Sequence, residues 1–66
     1  MIEQGTTVAA RIGTCWRTGT IINIFSDIRE RVTVYVVKSL VSDFRMAHRA
    51  REIVGIKTPQ GWRRIG

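Results

Sequence analysis

A mainly β fold is what this sequence predicts, and three observations predict it. Residues 31–38 (Arg31-Val32-Thr33-Val34-Tyr35-Val36-Val37-Lys38) have the two-residue period of a strand, with Val32, Val34 and Val36 on one face and Arg31, Thr33, Tyr35 and Val37 on the other. Two further stretches rich in β-branched residues precede it, at 6–12 and 20–25. Short breaks carrying Gly, Ser or Asp separate the three. Antiparallel neighbours tolerate such breaks, whereas parallel neighbours need crossovers of about a dozen residues or more.

In the first stretch Val8, Ala10 and Ile12 share a face opposite Thr7, Ala9 and Arg11. Gly13 and Gly19 then bracket a polar run, Thr14-Cys15-Trp16-Arg17-Thr18, which is expected to form a loop. The second strand, Thr20-Ile21-Ile22-Asn23-Ile24-Phe25, ends at the turn signal Ser26-Asp27. The third is the valine-rich run already described.

Residues 42–54 support two assignments. As a helix, Ser42 is the cap, Met46, Ala47, Ala50, Ile53 and Val54 form an apolar stripe, and Gly55 ends it. The fold would then be a three-stranded antiparallel sheet plus one C-terminal helix. As strand, Phe44 and Met46 point inward and Asp43 and Arg45 outward, followed by a helical turn at 48–52 and a last strand at 53–56. The fold would then be a five-stranded small barrel with one short helical turn. Beyond it, Pro59-Gln60-Gly61 marks a turn. The chain thus divides into a barrel segment, 1–56, and a basic tail or hairpin arm, 57–66.

Sixty-six residues hold one thin core, since a chain this short buries only about 60% of its unfolded surface. Marginal stability follows, which self-association into a homo-oligomer would relieve. Eleven basic residues against five acidic ones give a net charge of +6, and nine of the eleven are Arg. The guanidinium fork grips phosphate through two hydrogen bonds, so this bias points to nucleic acid as partner. A single cysteine, Cys15, excludes an intrachain disulfide and a cysteine-based metal site. The sequence also lacks a signal-peptide pattern and an apolar run of about eighteen residues. A cytoplasmic location is expected, with no membrane partner. His48 has no Ser, Cys or carboxylate at a telling spacing, so neither a nucleophilic triad nor a bound metal is expected. No enzyme, no cofactor and no small-molecule substrate are therefore expected.

The run Val8 … Gly13-x-x-Trp16-x-x-Gly19-x-Ile21, the valine strand and residues 44–54 together resemble the Src-homology-3-like small barrels. The similarity is to their KOW and Tudor branches, the C-terminal DNA-binding barrel of retroviral integrases and the plasmid-type dihydrofolate reductase. The resemblance covers about residues 5–56 and implies the barrel alternative for 42–54. The plasmid-type reductase uses a Val-Gln-Ile-Tyr run to hold its ligands. Phe44-Arg45-Met46-Ala47 stands there, so no catalytic residue carries across. A Tudor-like aromatic cage would need Trp16, Tyr35 and Phe44 to converge with acidic help, which this basic chain does not suggest.

The residues expected to contact nucleic acid are Arg17, Arg31, Tyr35, Arg45, Arg49, Arg51, Trp62, Arg63 and Arg64. Tyr35, on the face opposite the valines, would stack on a base while Arg31 and its neighbours hold phosphates. Arg45, Arg49 and Arg51 form the densest basic cluster outside the tail. Trp62-Arg63-Arg64 combines an aromatic with two charges in an arm suited to a groove or an exposed base. Trp16, next to Arg17, is expected to cover the end of the core. The resulting expectation is a small non-enzymatic DNA- or RNA-binding module, of a size that suits a phage- or mobile-element-encoded regulator. The alternative is a protein-interaction or self-assembly module aimed at an acidic partner.

Overall fold

Six antiparallel strands and one 3₁₀ turn make up the described chain, residues 2–65 of a computed structural model. The strands are β1 (Thr7–Ile12), β2 (Cys15–Asp27), β3 (Val32–Ser39), β4 (Arg45–Arg49), β5 (Ile53–Thr58) and β6 (Gly61–Arg64), with the turn Ala50–Glu52 between β4 and β5. Across the sheet they run β4-β3-β2-β1-β5-β6. The first four form a meander, and β5 returns to pair with β1. The fold is mainly β with one short helical turn, and the helix considered over 42–54 is not formed. Ser42 turns the chain instead, its hydroxyl accepting the Phe44 N–H at 3.2 Å. The last expected strand runs on to Thr58, and after a turn at Pro59 and Gln60 the segment expected as a tail or hairpin arm adds a sixth strand paired with it. Met1 and Gly66, the outermost residues of the two expected segments, lie outside the described residues.

The expected 13–19 loop is also absent. Gly13 and Thr14 alone connect β1 to β2, with Ile12 facing Cys15. Gly13 has φ of +58°, the positive value that the first central residue of a II′ hairpin turn requires. Strand pairing therefore starts at Cys15, and β2 reaches thirteen residues. Its first part pairs with β1 and its second with β3, while Gly19 and Thr20 pair with both.

Two bulges set the core. The β2–β3 register shifts between Ile21 and Asn23, leaving Ile22 unpaired. The β1–β5 register shifts between Ala9 and Ala10, leaving Val54 unpaired. Directly opposed residues share a face, and an extra residue reverses the phase beyond it. Ile21 and Ile24, three apart, thus both face the core, as do Ile53 and Ile56. Strict alternation would have sent one of each pair outward. Val8, Ala10, Ile21, Tyr35, Val37 and Ile53 are the buried cluster, with Ile2, Ile24, Ile56 and Ile65 packed against it.

The β2–β3 connection, residues 28–31, is organised by Asp27. Its carboxylate Oδ1 accepts the N–H groups of Arg29 at 2.9 Å and Glu30 at 3.3 Å. Arg31 then takes φ of +55°, where a Cβ is sterically disfavoured. Arg31→Gly is expected to leave the fold unchanged and raise unfolding stability by up to about 1 kcal/mol, measured by urea titration. A loss of stability would mean that the Arg31 side chain makes contacts that outweigh its backbone strain.

Candidate nucleic-acid interface

The face of the sheet opposite the core, where β2, β1, β5 and β6 lie side by side, carries the most distinctive surface. Its central row is Thr18, Ala9, Gly55 and Arg64, each directly paired with the next. Ala9 and Gly55 contribute almost no side chain, so the row forms a shallow floor. The neighbouring pairs on the same face are Trp16 with Arg11 and Trp62 with Lys57. Each tryptophan is thus set beside a cation on the adjacent strand. Trp16 is 65% exposed and Trp62 51%. Both line one groove of about 620 Å³ whose other walls include Val54, Arg63 and Arg64. Its volume lies within the range of ordinary ligand clefts, about 300–1,000 Å³.

Local sequence explains the positions. The two-residue turn places Trp16 on β2 rather than in a loop, and the outward phase shared with Arg11 and Ala9 leaves its indole off the core. The expected packing of Trp16 over the core end is therefore overturned. The turn at Pro59 and Gln60, where the Thr58 hydroxyl donates to the Gly61 carbonyl at 2.8 Å, folds β6 back so that Trp62 returns to the same face. The Trp62 ring leans over Gly55, with its Cε3 3.5 Å from where a β-carbon on that glycine would stand.

Charge is distributed unevenly. Segments 7–26 and 53–65, which supply this face, contain Arg11, Arg17, Lys57, Arg63 and Arg64 and no Asp or Glu. Four of the five acidic residues lie elsewhere among structural partners. Glu30 pairs with Arg49, Asp43 lies 3.8 Å from Lys38, Glu52 accepts the Arg49 N–H at 2.8 Å, and Asp27 holds the turn after β2.

The expected contact residues are not brought together. Trp62, Arg63 and Arg64 sit on β6, at one edge of the sheet. Arg45 is exposed on β4, at the opposite edge, beside Lys38. Arg49 is half-buried against Glu30, and both line a separate depression with Arg51. Arg31 occupies the turn after β2. The Arg17 guanidinium carbon stands 4.7 Å from the centre of the Phe44 ring, a cation–π contact. Phe44, expected to point inward, is half exposed. In its place His48 is the β4 residue that enters the interior, opposite Tyr35.

Tyr35 is 3% exposed and part of the core, which overturns the expected outward face of β3. A buried ring offers no surface to a base. Its hydroxyl accepts the Ile2 N–H at 3.4 Å. Trp16, which lines the groove, and Arg11 and Lys57, which pair with the two tryptophans beside it, are the residues that the sequence left out. Arg11 was legible as an outward position on β1. Trp16 and Lys57 required the hairpin geometry.

His48 is 2% exposed and its Nδ1 has no hydrogen-bond partner. A carboxylate oxygen of Glu52 stands 4.0 Å away, a neighbour the sequence spacing had not suggested. Among the described residues no three His, Cys, Asp or Glu side chains gather in a way that could hold a metal ion. No described helix is long and apolar enough to cross a membrane. Comparison with protein-family models, curated proteins and solved structures finds nothing that matches this chain.

Proposed function

We propose that this chain is a small non-enzymatic nucleic-acid-binding module whose contact surface is the groove between Trp16 and Trp62. One observation carries this: two exposed tryptophans, each beside a cation, flank a side-chain-poor floor whose strands supply Arg11, Lys57, Arg63 and Arg64 and no acidic residue. Aromatic faces attract bases, while Arg and Lys neutralise phosphates. We further propose that the sheet belongs to the Src-homology-3-like class of small barrels. In support of this, a long second strand is shared between two neighbours, a 3₁₀ turn follows β4, and the next strand pairs with the first.

A salt series tests the function. Binding to random oligonucleotides should weaken with salt along a log–log slope of about −2 to −4, as for three to five neutralised phosphates. Replacing Arg11, Lys57, Arg63 or Arg64 by Gln should make the slope shallower by about 0.7 each. Arg45→Gln and Arg51→Gln, outside the groove, should leave it unchanged. Absence of binding at low salt removes the proposal. Slope changes confined to Arg45 and Arg51 move the interface to the other side of the sheet.

A second reading, a module that docks another protein, draws on an adjoining surface. Leu40, Val41 and Phe44 are exposed in and beside the β3–β4 connection, and Leu40 and Val41 share a depression with Trp16 and Arg17. Isolated apolar side chains are common on surfaces, but a cluster of this kind at a loop marks interaction sites. Retention on an acidic peptide column that Val41→Ser abolishes, without any effect on oligonucleotide binding, would favour it.

A further inference from the structure

We infer that the groove selects unpaired nucleotides over duplex, seating bases against Trp16 and Trp62 while the backbone runs past Arg11, Lys57, Arg63 and Arg64. This rests on the nucleic-acid reading above and specifies the form of its ligand. In a duplex the base faces are stacked on one another, and only their edges are open to a protein. An indole can stack only where a base is already free or is pulled out, and pulling one out requires unstacking energy. Both tryptophans are exposed on the outer sheet face, lining one groove with Ala9 and Gly55 between them, which suits a flat group entering from solvent. The cations beside them lie on the same pleat, one strand away from each ring: Arg11 next to Trp16, Lys57 next to Trp62, and Arg64 across from Gly55. That alternation of ring and charge matches the alternation of base and phosphate along a single strand.

Stacking adds to the electrostatic affinity of such a site, and duplex has only the electrostatic part available to it. Discrimination between the two forms therefore depends on the indoles. The chain's two tryptophans both line the groove, so tryptophan emission reports on the site.

The test titrates the full chain with a twelve-nucleotide oligo-dT, the matching oligo-U and a twelve-base-pair duplex at one low salt concentration. Tryptophan emission and, independently, anisotropy of labelled strands are followed. Both single strands are expected to quench the emission and to bind about 10-fold or more tighter than duplex. Trp62→Ala should weaken strand binding about 10-fold and leave duplex binding unchanged, and Trp62→Phe should recover most of the loss. Because Trp62 is half exposed, the Ala variant should keep the parent's circular-dichroism spectrum. A preference for the ribose or the deoxyribose strand identifies the source of the ligand and supports the seat equally. Equal or tighter duplex binding, or strand binding that Trp16→Ala and Trp62→Ala leave unchanged, overturns the single-strand inference while the nucleic-acid reading stands. Absence of binding by every oligonucleotide overturns both.

Discussion

Gly19→Ala is expected to lose about 3 kcal/mol of folding stability, at the upper end of what overpacking a close-packed site produces. The cause is backbone crowding. A β-carbon on Gly19 would fall well inside 3.0 Å of the Lys38 carbonyl oxygen and 2.6 Å from Cγ1 of Val37. The carbonyl belongs to the paired strand β3 and cannot rotate away as a side chain can. Relief would require the end of the β2–β3 ladder to open where Gly19 faces Ser39 and Thr20 faces Lys38. Those same β2 residues also pair with β1, so the opening would spread to Val8 and Thr7. A chain of this size has only about 3–5 kcal/mol of stability to lose. In a urea titration the variant should keep no more than about 2 kcal/mol, with its midpoint shifted toward zero denaturant. Gly55→Ala is the matched control. The β-carbon there would meet Trp62, Ala9 and Arg63 at 3.5 Å or beyond, ordinary contact distances, and stability should change by less than about 0.5 kcal/mol. Equal effects at the two glycines would refute the crowding argument.

Tyr35→Ala should unfold the protein rather than weaken ligand binding. The ring lies in the core, paired with Ile24 on one side and His48 on the other, and truncating a buried aromatic costs about 3–5 kcal/mol. Tyr35→Phe keeps the ring and loses only the hydroxyl that accepts the Ile2 N–H, so it should stay within about 1 kcal/mol of the parent. Thermal melts of the pair, followed by circular dichroism, separate the two contributions. A folded Tyr35→Ala chain with impaired oligonucleotide binding would contradict the burial and restore Tyr35 as a contact residue.

The face of Tyr35 shows why a strand can be read from sequence more easily than its orientation. Alternation in β3 was plain, yet both faces carry apolar residues, Val32, Val34 and Val36 on one and Tyr35 and Val37 on the other. In the sheet, Val34 is buried on the outer side while Tyr35 and Val37 enter the core. Periodicity identifies the two sets of residues and is silent on which one meets the neighbours. The bulges at Ile22 and Val54 are equally invisible to a period-two rule, since each inserts one residue that pairs with nothing.

The candidate groove was half legible. Trp62, Arg63 and Arg64 stood out as an aromatic among charges. Trp16 was misplaced because two glycines around a polar run resemble a loop, whereas only Gly13 turns the chain and Gly19 is needed for close strand approach. Arg45, Arg49 and Arg51 drew attention through their density in the sequence. Density along the chain is not density in space: Arg49 is committed to Glu30, and Arg45 lies at the edge of the sheet opposite β6.

By itself the sequence determined the mainly β class, the valine strand, the turns at Asp27 and at 59–61, and the excess of arginine. Each follows from local steric preference, side-chain alternation or composition, which act within a few residues. The tertiary structure alone decided between helix and strand over 42–54, which side of β3 is interior, and that Trp16 and Trp62, 46 positions apart in the numbering, line one groove. The physical reason is the same in all three cases. Residues 45–49 become strand because the edge of β3 offers them backbone partners, and Tyr35 turns inward because its pairing with Ile24 and His48 sets it on their buried face. The two tryptophans share a groove because β5 returns to β1 and carries β6 with it. Long-range pairing settles what local preference leaves undecided.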